Sequence, residues 1–449
     1  MTQRVPLWYE FLWRVAMPFA LLRLWWRGRS EPGYRRHIGE RFGRYPVLPD
    51  ARPAIWIHAV SVGETRAAAP LVAALRGRYP EHRIVMTHTT AAGRETGVAL
   101  FGDQVTQAYF PYDTAIGANR FLAWCRPRFG LLLETELWPN MILRAAARGV
   151  PLFLVNARMS EKSAQGYQRF AQMSRSMLQA LAGVAAQSPA DAERLSGLGA
   201  NRVMVTGNIK FDVAVPDSTF ERSRALRGLF GESRPVWVAG STREGEESML
   251  LAALAGTPMP EGALLVIVPR HPQRFDPVAN LLGQRGIQFA RRSAGQPVAA
   301  GTSIVLGDTM GEMLAYYAAA DVAFIGGTLL PLGGQNLIEA LAVGTPVLIG
   351  PSTFNFAEAT REALDRGAAR SGANADAIAL EAAKLLRDPE LRARMSAAGA
   401  ELLTAHRGAT ARTLDWIAAQ LELSGLPAPI AARGSQSPDR RRSELPPRL

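Results

Sequence analysis

The chain has 449 residues, of which 48% are hydrophobic and 20% are charged, a composition that is typical of a globular protein and excludes an intrinsically disordered chain. This length exceeds what one ordinary hydrophobic core occupies, so it predicts two domains. The single cysteine, Cys125, excludes an internal disulfide framework and suits a reducing compartment. No cluster of Cys and His residues has the spacing of a metal site.

The net charge of +12 is concentrated near the amino terminus, where residues 1–44 hold nine arginines and three glutamates. An excess of positive charge favours an anionic partner. No nucleic-acid-binding motif is present, and the arginines of the carboxyl-terminal segment are not interleaved with aromatic residues, so nucleic acid is not expected as a partner. The distribution favours an anionic membrane surface or a phosphorylated substrate.

The amino-terminal segment, residues 1–29, has the pattern of an amphipathic helix with one apolar face. Seven residues recur at spacings of three and four: Trp8, Phe11, Leu12, Val15, Phe19, Leu22 and Trp26. Pro18 is expected to kink or split this helix. The charge-free stretch 15–22 is much shorter than the ~20 residues that a transmembrane helix needs. We expect the segment to lie in a membrane interface. Packing on its own domain is the alternative, and the two roles are compatible.

Strand and helix patterns alternate through the rest of the chain in two series. The first predicts strands between residues 54 and 206, and the second predicts strands between residues 235 and 349. This alternation predicts two doubly wound, Rossmann-like α/β domains that face each other across a cleft, over residues 30–215 and 216–425. The segment 426–449 is rich in Pro, Ser and Arg and is expected to be a disordered basic tail.

Two apolar runs that stop near a carboxylate are the most informative feature of the first series. Residues 55–60 lead to Glu64, and residues 131–133 lead to Glu134. Ligands of such sheets bind at the carboxyl ends of the strands, so both carboxylates are expected on one rim, where acid–base chemistry belongs. Because Glu64 stands near the start of a helical pattern, we expect its carboxylate to stay ionised.

Each of these residues also has a structural interpretation. Glu64 could simply stabilise the helix dipole, and Glu134 could hold the turn at residues 138–140 by hydrogen bonding. Glu136 is expected to take that structural role, and His58 is expected to be a hydrogen-bonded structural histidine.

Four loops of the second series carry ligand-type residues directly after predicted strands. They are residues 240–246, 269–272, 307–312 and 333–339. The first loop presents small hydroxyl side chains at an expected helix start, which is an anion-binding arrangement. Glycines in the last loop would allow close backbone approach to phosphate or sugar, and Glu339 is placed to accept hydrogen bonds from ribose hydroxyls. Together the loops predict a nucleotide-type ligand, although none is a Walker loop or a dinucleotide fingerprint.

Six motifs, in order along the chain, resemble the 3-deoxy-D-manno-octulosonic acid (Kdo) transferases of Gram-negative lipid A synthesis. They are residues 58–64, 134–140, 206–212, 269–272, 307–312 and 333–336. The resemblance implies a B-type glycosyltransferase without metal or cofactor. It implies a CMP-Kdo donor, a lipid A precursor (lipid IVA) as acceptor, and inversion at the anomeric carbon. With such an acceptor, we expect residues 1–29 to dock the enzyme on the cytoplasmic face of the inner membrane without crossing it.

The resemblance also implies roles for individual residues. Glu64 would be the general base, and Glu134 and Lys210 would assist the transition state. The residues implied to bind CMP are Pro269, Arg270, Met310, Gly311, Glu312, Asn336, Leu337, Ile338 and Glu339.

The residues alone leave two other functions open. One is a different B-type enzyme of sugar nucleotides, such as an N-acetylglucosaminyl transferase or a 2-epimerase that uses UDP. The other is a catalytically silent scaffold at the membrane surface that binds lipid A phosphates through its arginine-rich amino terminus. Intact Glu64 and the full set of donor loops favour an enzyme over the scaffold.

Overall fold

A computed structural model describes residues 5–48, 50–213 and 215–423 and divides the chain into two compact units. The first unit runs to Ile209 and takes in the last described helix. The second runs from Lys210 to Arg407. Each unit is built on a seven-stranded parallel sheet with helices between the strands, so the two predicted doubly wound α/β domains are confirmed.

The sheet of the first unit has the strand order β3-β2-β1-β4-β5-β6-β7, and that of the second unit has the order β10-β11-β9-β8-β12-β13-β14. The strands are β1 Ala54–His58, β2 Arg83–His88, β3 Val105–Tyr109, β4 Pro127–Leu133, β5 Leu152–Ala157, β6 Gly183–Ala186, β7 Val203–Val205, β8 Val236–Thr242, β9 Leu264–Pro269, β10 Phe289–Arg291, β11 Ile304–Leu306, β12 Val322–Ile325, β13 Val347–Ile349 and β14 Ala369–Ser371. The order reverses between β1 and β4 in the first sheet and between β8 and β12 in the second. These are the positions where such sheets bind ligands.

The helices flank both sheets. They are α1 Leu7–Ser30, α2 Val62–Ala67, α3 Ala69–Arg78, α4 Ala91–Phe101, α5 Ala115–Cys125, α6 Pro139–Ala147, α7 Glu161–Gln168, α8 Ala171–Ala180, α9 Pro189–Gly197, α10 Ser218–Phe230, α11 Glu246–Gly256, α12 Phe275–Gln284, α13 Met313–Ala318, α14 Ile338–Ala342, α15 Ala357–Asp365, α16 Ala375–Arg387, α17 Pro389–His406 and α18 Ala409–Leu423.

The central strands are apolar along their whole length because helices cover both faces of each sheet. In β1, Ile55 and Ile57 pack into one buried cluster and Trp56 packs into the cluster on the opposite face. This burial holds the carboxyl end of β1, and therefore the loop that leads to Glu64, in a fixed position.

Two edge strands, β10 and β14, were not predicted from the sequence. Each has three residues and includes an arginine, and their side chains are mostly only half-buried. Because an edge strand covers only part of its surface, its sequence lacks the apolar run by which the central strands were recognised.

The last helix, α18, belongs to the first unit, although the sequence analysis placed residues 216–425 in the second domain. Trp416 packs against Gly183 so closely that a Cβ atom at that glycine would overlap the indole ring. Ile417 and Leu421 complete the buried cluster beneath β1 and β4. Helical periodicity shows that α18 has an apolar face but does not show which sheet receives it. The predicted tail, 426–449, lies outside the described residues.

Helix α1 is continuous from Leu7 to Ser30 with Pro18 inside it, so the predicted split does not occur. All seven residues of the predicted apolar face are exposed, from 46% for Trp8 to 69% for Phe19. The opposite face contacts the first unit. Tyr9 Oη lies 3.0 Å from Asp113 Oδ2, and Leu24 is buried. Among the described residues, no helix is long and apolar enough to cross a bilayer.

Candidate active site

Glu64 and Glu134 follow the two neighbouring strands at which the order of the first sheet reverses. Glu64 lies in the first turn of α2, directly after β1, and Glu134 is the residue after β4. β1 and β4 are paired in parallel, with His58 opposite Leu132 near their carboxyl ends. The structure therefore places the two carboxylates on the same rim, and the charge of Glu134 acts on the carboxyl group of Glu64.

The loop before α2 holds the Glu64 side chain in a capping arrangement. Ser61 caps the helix by accepting a hydrogen bond from the Glu64 N–H (3.3 Å), and its hydroxyl donates to Oε1 of Glu64 (3.0 Å). The Val60 N–H donates to Oε2 (2.8 Å). A Ser-x-x-Glu sequence is the signature of such a cap. Both carboxyl oxygens therefore have a donor, although the side chain is only 9% exposed.

The protonation state of Glu64 differs from the sequence prediction. Burial raises the pKa of Glu64 to about 8, with a further increase from the negative charges of Glu134 and Glu136. The hydrogen bonds from Val60 and Ser61 oppose this shift without cancelling it. The prediction that the helix start keeps the group ionised is wrong, because α2 has only six residues and its dipole is outweighed by desolvation and like charge.

Glu134 has a backbone conformation that is unusual for a residue with a side chain. Its φ angle is +59°, in the left-handed region that favours glycine, and its N–H donates to the carbonyl of Val155 (3.0 Å). Conformations of this kind persist where the surrounding structure enforces them, and they cluster at functional sites. The sharp turn at Glu134 ends β4 at the rim of the sheet.

Glu136 and His58 make hydrogen bonds of the kind expected from the sequence, and their structural roles stay predictions. The indole N–H of Trp138 donates to Glu136 (2.9 Å), which holds the turn that precedes α6. His58 is fully buried, with Nδ1 at 2.9 Å from the hydroxyl of Thr87 and Nε2 at 3.8 Å from Glu136.

Asp113 is a residue of this rim that the sequence analysis missed. It follows β3, it is 1% exposed, and its two carboxylate oxygens accept from the N–H groups of Asn140 (3.0 Å) and Met141 (2.9 Å) at the start of α6. The Asp-Thr pair after a strand is a recognisable helix-cap signal. Nothing in the sequence shows, however, that Thr114 caps the next helix while Asp113 caps α6.

Lys210, the third predicted catalytic residue, lies in the one-turn 3₁₀ helix Ile209–Phe211. It is half-buried, and it is the first residue of the second unit. Its role in stabilising a transition state stays a prediction.

In the second unit, two of the predicted loops, 269–272 and 333–339, come together near the point where the strand order reverses between β8 and β12. The N–H of Gly326 donates to the carbonyl of Gly240 (2.8 Å), which joins the ends of the two strands. Arg270, directly after β9, donates from Nε to the side chain of Gln335 (3.2 Å). The charges of Arg270 and Glu339 both act on the buried hydroxyl of Tyr317. Arg270, Gln335 and Glu339 therefore share one end of the sheet.

Asn336 and Glu339 form one hydrogen-bonded group at the start of α14. The Asn336 side chain donates to Oε1 of Glu339 (3.1 Å) and accepts from the N–H of Ile338 (3.1 Å). Leu337 and Ile338, which lie between them, are almost completely buried, as is Pro269 at the end of β9. Any contact of Leu337 or Ile338 with a ligand would therefore run through the backbone.

The loop 307–312 forms a second cluster. Glu312 accepts hydrogen bonds from the Thr309 hydroxyl and from Arg292 (3.2 Å). Gly311 adopts a left-handed conformation with φ of +77°, and Met310 beside it is 61% exposed. The loop thus presents an exposed apolar side chain, and its carboxylate is already paired with Thr309 and Arg292.

In and around the loop 240–246, several hydrogen-bond donors are paired with carboxylates of the chain itself. Glu246 is fully buried, and it accepts hydrogen bonds from the N–H groups of Gly327 (2.6 Å), Arg243 (2.9 Å) and Leu329 (3.0 Å). The Thr242 hydroxyl donates to Glu247 (2.9 Å). The anion-binding role expected for the start of α11 stays a prediction.

Comparison with known proteins identifies the family. A family model described as 3-deoxy-D-manno-octulosonic-acid transferase (kdotransferase) matches residues 36–213, and a model of group 1 glycosyl transferases matches residues 295–402. The 3-deoxy-D-manno-octulosonic acid transferase of Bordetella pertussis is 46% identical over 424 residues, which cover 91% of this chain and 97% of that protein. The chain belongs to the Kdo transferase family. It is therefore an enzyme, a glycosyltransferase that transfers Kdo.

One further comparison supports the family and another supports the fold. The 3-deoxy-D-manno-octulosonic acid transferase of Haemophilus influenzae is 38% identical over 422 residues, which cover 92% of this chain and 98% of that protein. An Anabaena protein solved in complex with UDP is 14% identical, covers 82% of this chain and 100% of its own, and has a TM-score of 0.52. The second comparison shows a shared fold.

The raised pKa of Glu64 predicts the pH dependence of transfer. If Glu64 must be ionised to react, kcat/KM falls as the pH drops below about 8, because the carboxyl group of the free enzyme then binds a proton. Replacing Glu134 by Gln removes a negative charge that raises this pKa, so the acidic limb of the profile should move to lower pH. The measurement is kcat/KM from pH 5 to 10.

The matched control for this experiment is Glu81→Gln, an exposed carboxylate that precedes β2 at the opposite end of the sheet. This variant should leave the limb in place. If the acidic limb of the pH profile is the same in Glu134→Gln and the wild type, the prediction that the charge of Glu134 raises the pKa of a reacting Glu64 is wrong.

Proposed function

We propose that this enzyme transfers Kdo from CMP-Kdo to a lipid A precursor, lipid IVA, with inversion at the anomeric carbon. The observation that supports this most directly is the pair of carboxylates, Glu64 and Glu134, at the position where the strand order of the first sheet reverses. Family membership supplies the transferred sugar, and the pair supplies the acid–base group that the reaction needs.

We assign the general base to Glu64. An inverting transfer needs a group that takes the proton of the acceptor hydroxyl as its oxygen attacks the anomeric carbon from the face opposite the leaving group. A base works best when its pKa lies near the working pH, and a value of about 8 for Glu64 meets this condition. Glu134 would raise the basicity of Glu64 by charge repulsion, which is how it would assist the transition state.

We assign donor binding to the second unit. The departing CMP carries negative charge on its phosphate, so transfer is faster where a cation meets that charge. Arg270 and Lys210 would serve as these cations. Glu339, oriented by Asn336, would accept hydrogen bonds from the ribose hydroxyls. The exposed Met310 and the backbone of residues 311–312 would border the nucleotide.

We also propose that α1 holds the enzyme on the cytoplasmic face of the inner membrane. The apolar face of α1 is exposed along the helix, with Arg14 and Arg23 exposed beside it. Tryptophan and arginine at the edge of an apolar stripe suit the headgroup region of an anionic membrane. An enzyme held there could use an acceptor whose acyl chains stay in the bilayer, which avoids exposing about 0.8 kcal/mol of apolar surface per methylene to water.

The first test replaces the proposed base. Glu64→Gln keeps the shape of the side chain and removes the base, so transfer should fall by about 10²–10⁴ in rate. CMP affinity, measured by calorimetry, should stay close to the wild-type value, because the nucleotide is assigned to the second unit.

Asp191→Asn is the matched control for Glu64→Gln. Asp191 is also buried, and it takes the same place in a Ser-x-x-acid cap at the start of α9. A loss of the cap alone would therefore affect both variants. Turnover of Glu64→Gln at more than about a tenth of the wild-type rate would remove Glu64 as the base.

A second test concerns the donor. Arg270→Ala and Glu339→Ala should each weaken CMP binding by about 1.5–3 kcal/mol, the cost of one charge-assisted hydrogen bond, with little change in acceptor KM. Arg285→Ala is the control. Arg285 contacts Ser248 and lies at the other end of α12 from the Arg270 loop. Unchanged CMP affinity in both test variants, measured by calorimetry, would exclude these residues from the donor site.

A third test concerns the membrane. Phe19→Ser combined with Trp26→Ser should weaken co-sedimentation with anionic vesicles, because each side chain that is buried in the membrane contributes about 1.5–3 kcal/mol to binding. Transfer to an acceptor in vesicles should fall more than transfer to the same acceptor in detergent. Phe220→Ser, which removes an exposed phenylalanine from α10 of the second unit, should bind vesicles as the wild type does. Equal vesicle binding by all three proteins would refute the docking role of α1.

A further inference from the structure

A buried carboxylate connects α1 to the start of α6. Asp113 Oδ2 accepts hydrogen bonds from the hydroxyl of Tyr9 in α1 (3.0 Å) and from the N–H of Asn140 (3.0 Å). Its other oxygen accepts from the N–H of Met141 (2.9 Å), and its carbonyl accepts from the Asn140 side chain (2.7 Å). One residue therefore joins two helices through a chain of direct hydrogen bonds.

Two further contacts fasten α1 to the same short segment. Glu10 accepts a hydrogen bond from the N–H of Ala115 (3.2 Å), and the ring of Trp13 packs against that of Tyr112 with centroids 5.5 Å apart. Three successive contact positions of α1 thus meet residues 112–115. The position of residues 112–115 therefore depends on how α1 packs against the first unit, which we call the seating of α1.

The start of α6 in turn depends on Asp113. No side chain of its own cap position bonds the first turn of α6, so the N–H groups there are satisfied by Asp113 instead. The residues just before α6 form a turn. This turn contains Glu134, which has a left-handed backbone conformation, and Glu136, which accepts the hydrogen bond from Trp138. A strained turn holds its conformation only while its two ends are fixed. Asp113 fixes one of these ends.

We propose that Tyr9, Glu10 and Asp113 are positioning residues that couple the seating of α1 to the placement of Glu134 beside Glu64. This inference rests on the proposed function, since it assumes that α1 docks on the membrane and that the Glu64–Glu134 pair performs transfer. The exposed apolar face of α1 would bind the membrane, and the face that packs on the first unit would fix the turn that carries Glu134. The helix that brings the enzyme to its acceptor then also orders the catalytic rim.

The coupling predicts an effect on turnover rather than on binding. Loss of the Tyr9 hydroxyl leaves Asp113 bonded to α6 but removes one of the three contacts that fasten residues 112–115 to α1, so Glu134 would sample more positions. Couplings of this kind are worth about two- to thirty-fold in rate. Because the charge of Glu134 is one cause of the high pKa of Glu64, a displaced Glu134 would also shift the acidic limb of the pH profile downward.

The experiment compares Tyr9→Phe with Tyr109→Phe in the full-length enzyme. Tyr109 also donates a buried hydroxyl hydrogen bond near the amino terminus, to the carbonyl of Gly33 (2.9 Å), and the structure gives it no hydrogen bond to Asp113. Each variant is assayed for kcat and donor KM with acceptor in anionic vesicles, for vesicle co-sedimentation, for thermal stability and for the pH dependence of kcat/KM. Glu10→Ala and Glu10→Gln form a second pair, since glutamine keeps an acceptor oxygen for the Ala115 N–H.

The expected result is that Tyr9→Phe and Glu10→Ala lower kcat about two- to thirty-fold, keep donor KM and vesicle binding, and move the acidic limb to lower pH. Glu10→Gln should retain more activity than Glu10→Ala, and Tyr109→Phe should behave as the wild type at temperatures where all variants are folded.

Equal kcat and an unmoved acidic limb in Tyr9→Phe and Tyr109→Phe would overturn the coupling. Loss of vesicle binding in parallel with activity would also overturn it, because α1 would then act only as an anchor. A wild-type enzyme that transfers nothing from CMP-Kdo, or a Glu64→Gln variant with full activity, would instead refute the proposed function.

Discussion

The burial of Glu64 next to two other carboxylates is the constraint on which the rim of the first sheet depends. A buried charge is costly, and like charges nearby add to the cost, so the carboxyl group responds with a pKa of about 8. The rest of the first unit supplies the rigidity that keeps Glu64 buried despite this cost in free energy. β1 and β4 are fixed by apolar burial on both faces, and Glu134 is held in a left-handed backbone conformation at the end of β4. A looser sheet would let the carboxylates separate and ionise.

The second sheet provides a comparison within the same chain. Glu246, like Glu64, follows a glycine after the first strand of its sheet and lies in the first turn of the next helix. Burial raises the pKa of Glu246 as well, but three backbone N–H groups donate to its carboxylate and oppose the shift. Glu64 has one backbone donor and one hydroxyl. A carboxylate saturated by the backbone ties two loops together, whereas one with fewer donors keeps the capacity to exchange a proton.

These comparisons show which parts of the molecule a sequence can predict. The central strands are buried on both faces, so their apolar runs identify them, and the order of strands and helices then gives both sheets and the rim positions of Glu64, Glu134 and Arg270. The edge strands β10 and β14 carry no such run. The attachment of α18 to the first sheet depends on Trp416 meeting Gly183, two residues far apart in the chain. The pKa of Glu64 depends on Glu134, and the cap of α6 depends on Asp113. Each of these properties arises between segments, so no local pattern contains it.

For helix α1, the sequence pattern correctly predicts an apolar face, but only the structure shows whether that face packs inward or is exposed. Its spacing predicts one apolar face, but in most proteins such a face turns inward and the polar residues turn to solvent. Here the longest apolar stripe instead faces outward, with Phe11, Phe19 and Trp26 exposed. The face that contacts the protein includes Tyr9 and Glu10, which make hydrogen bonds to it. An exposed apolar stripe of this length on a helix is typical of a surface that binds a protein or a membrane. The hydrogen bonds of Tyr9 and Glu10 give that surface a fixed orientation, because hydrogen bonds are directional and apolar contacts are not. If α1 docks on a bilayer as we propose, the same helix would also help to hold the rim that carries Glu64 and Glu134.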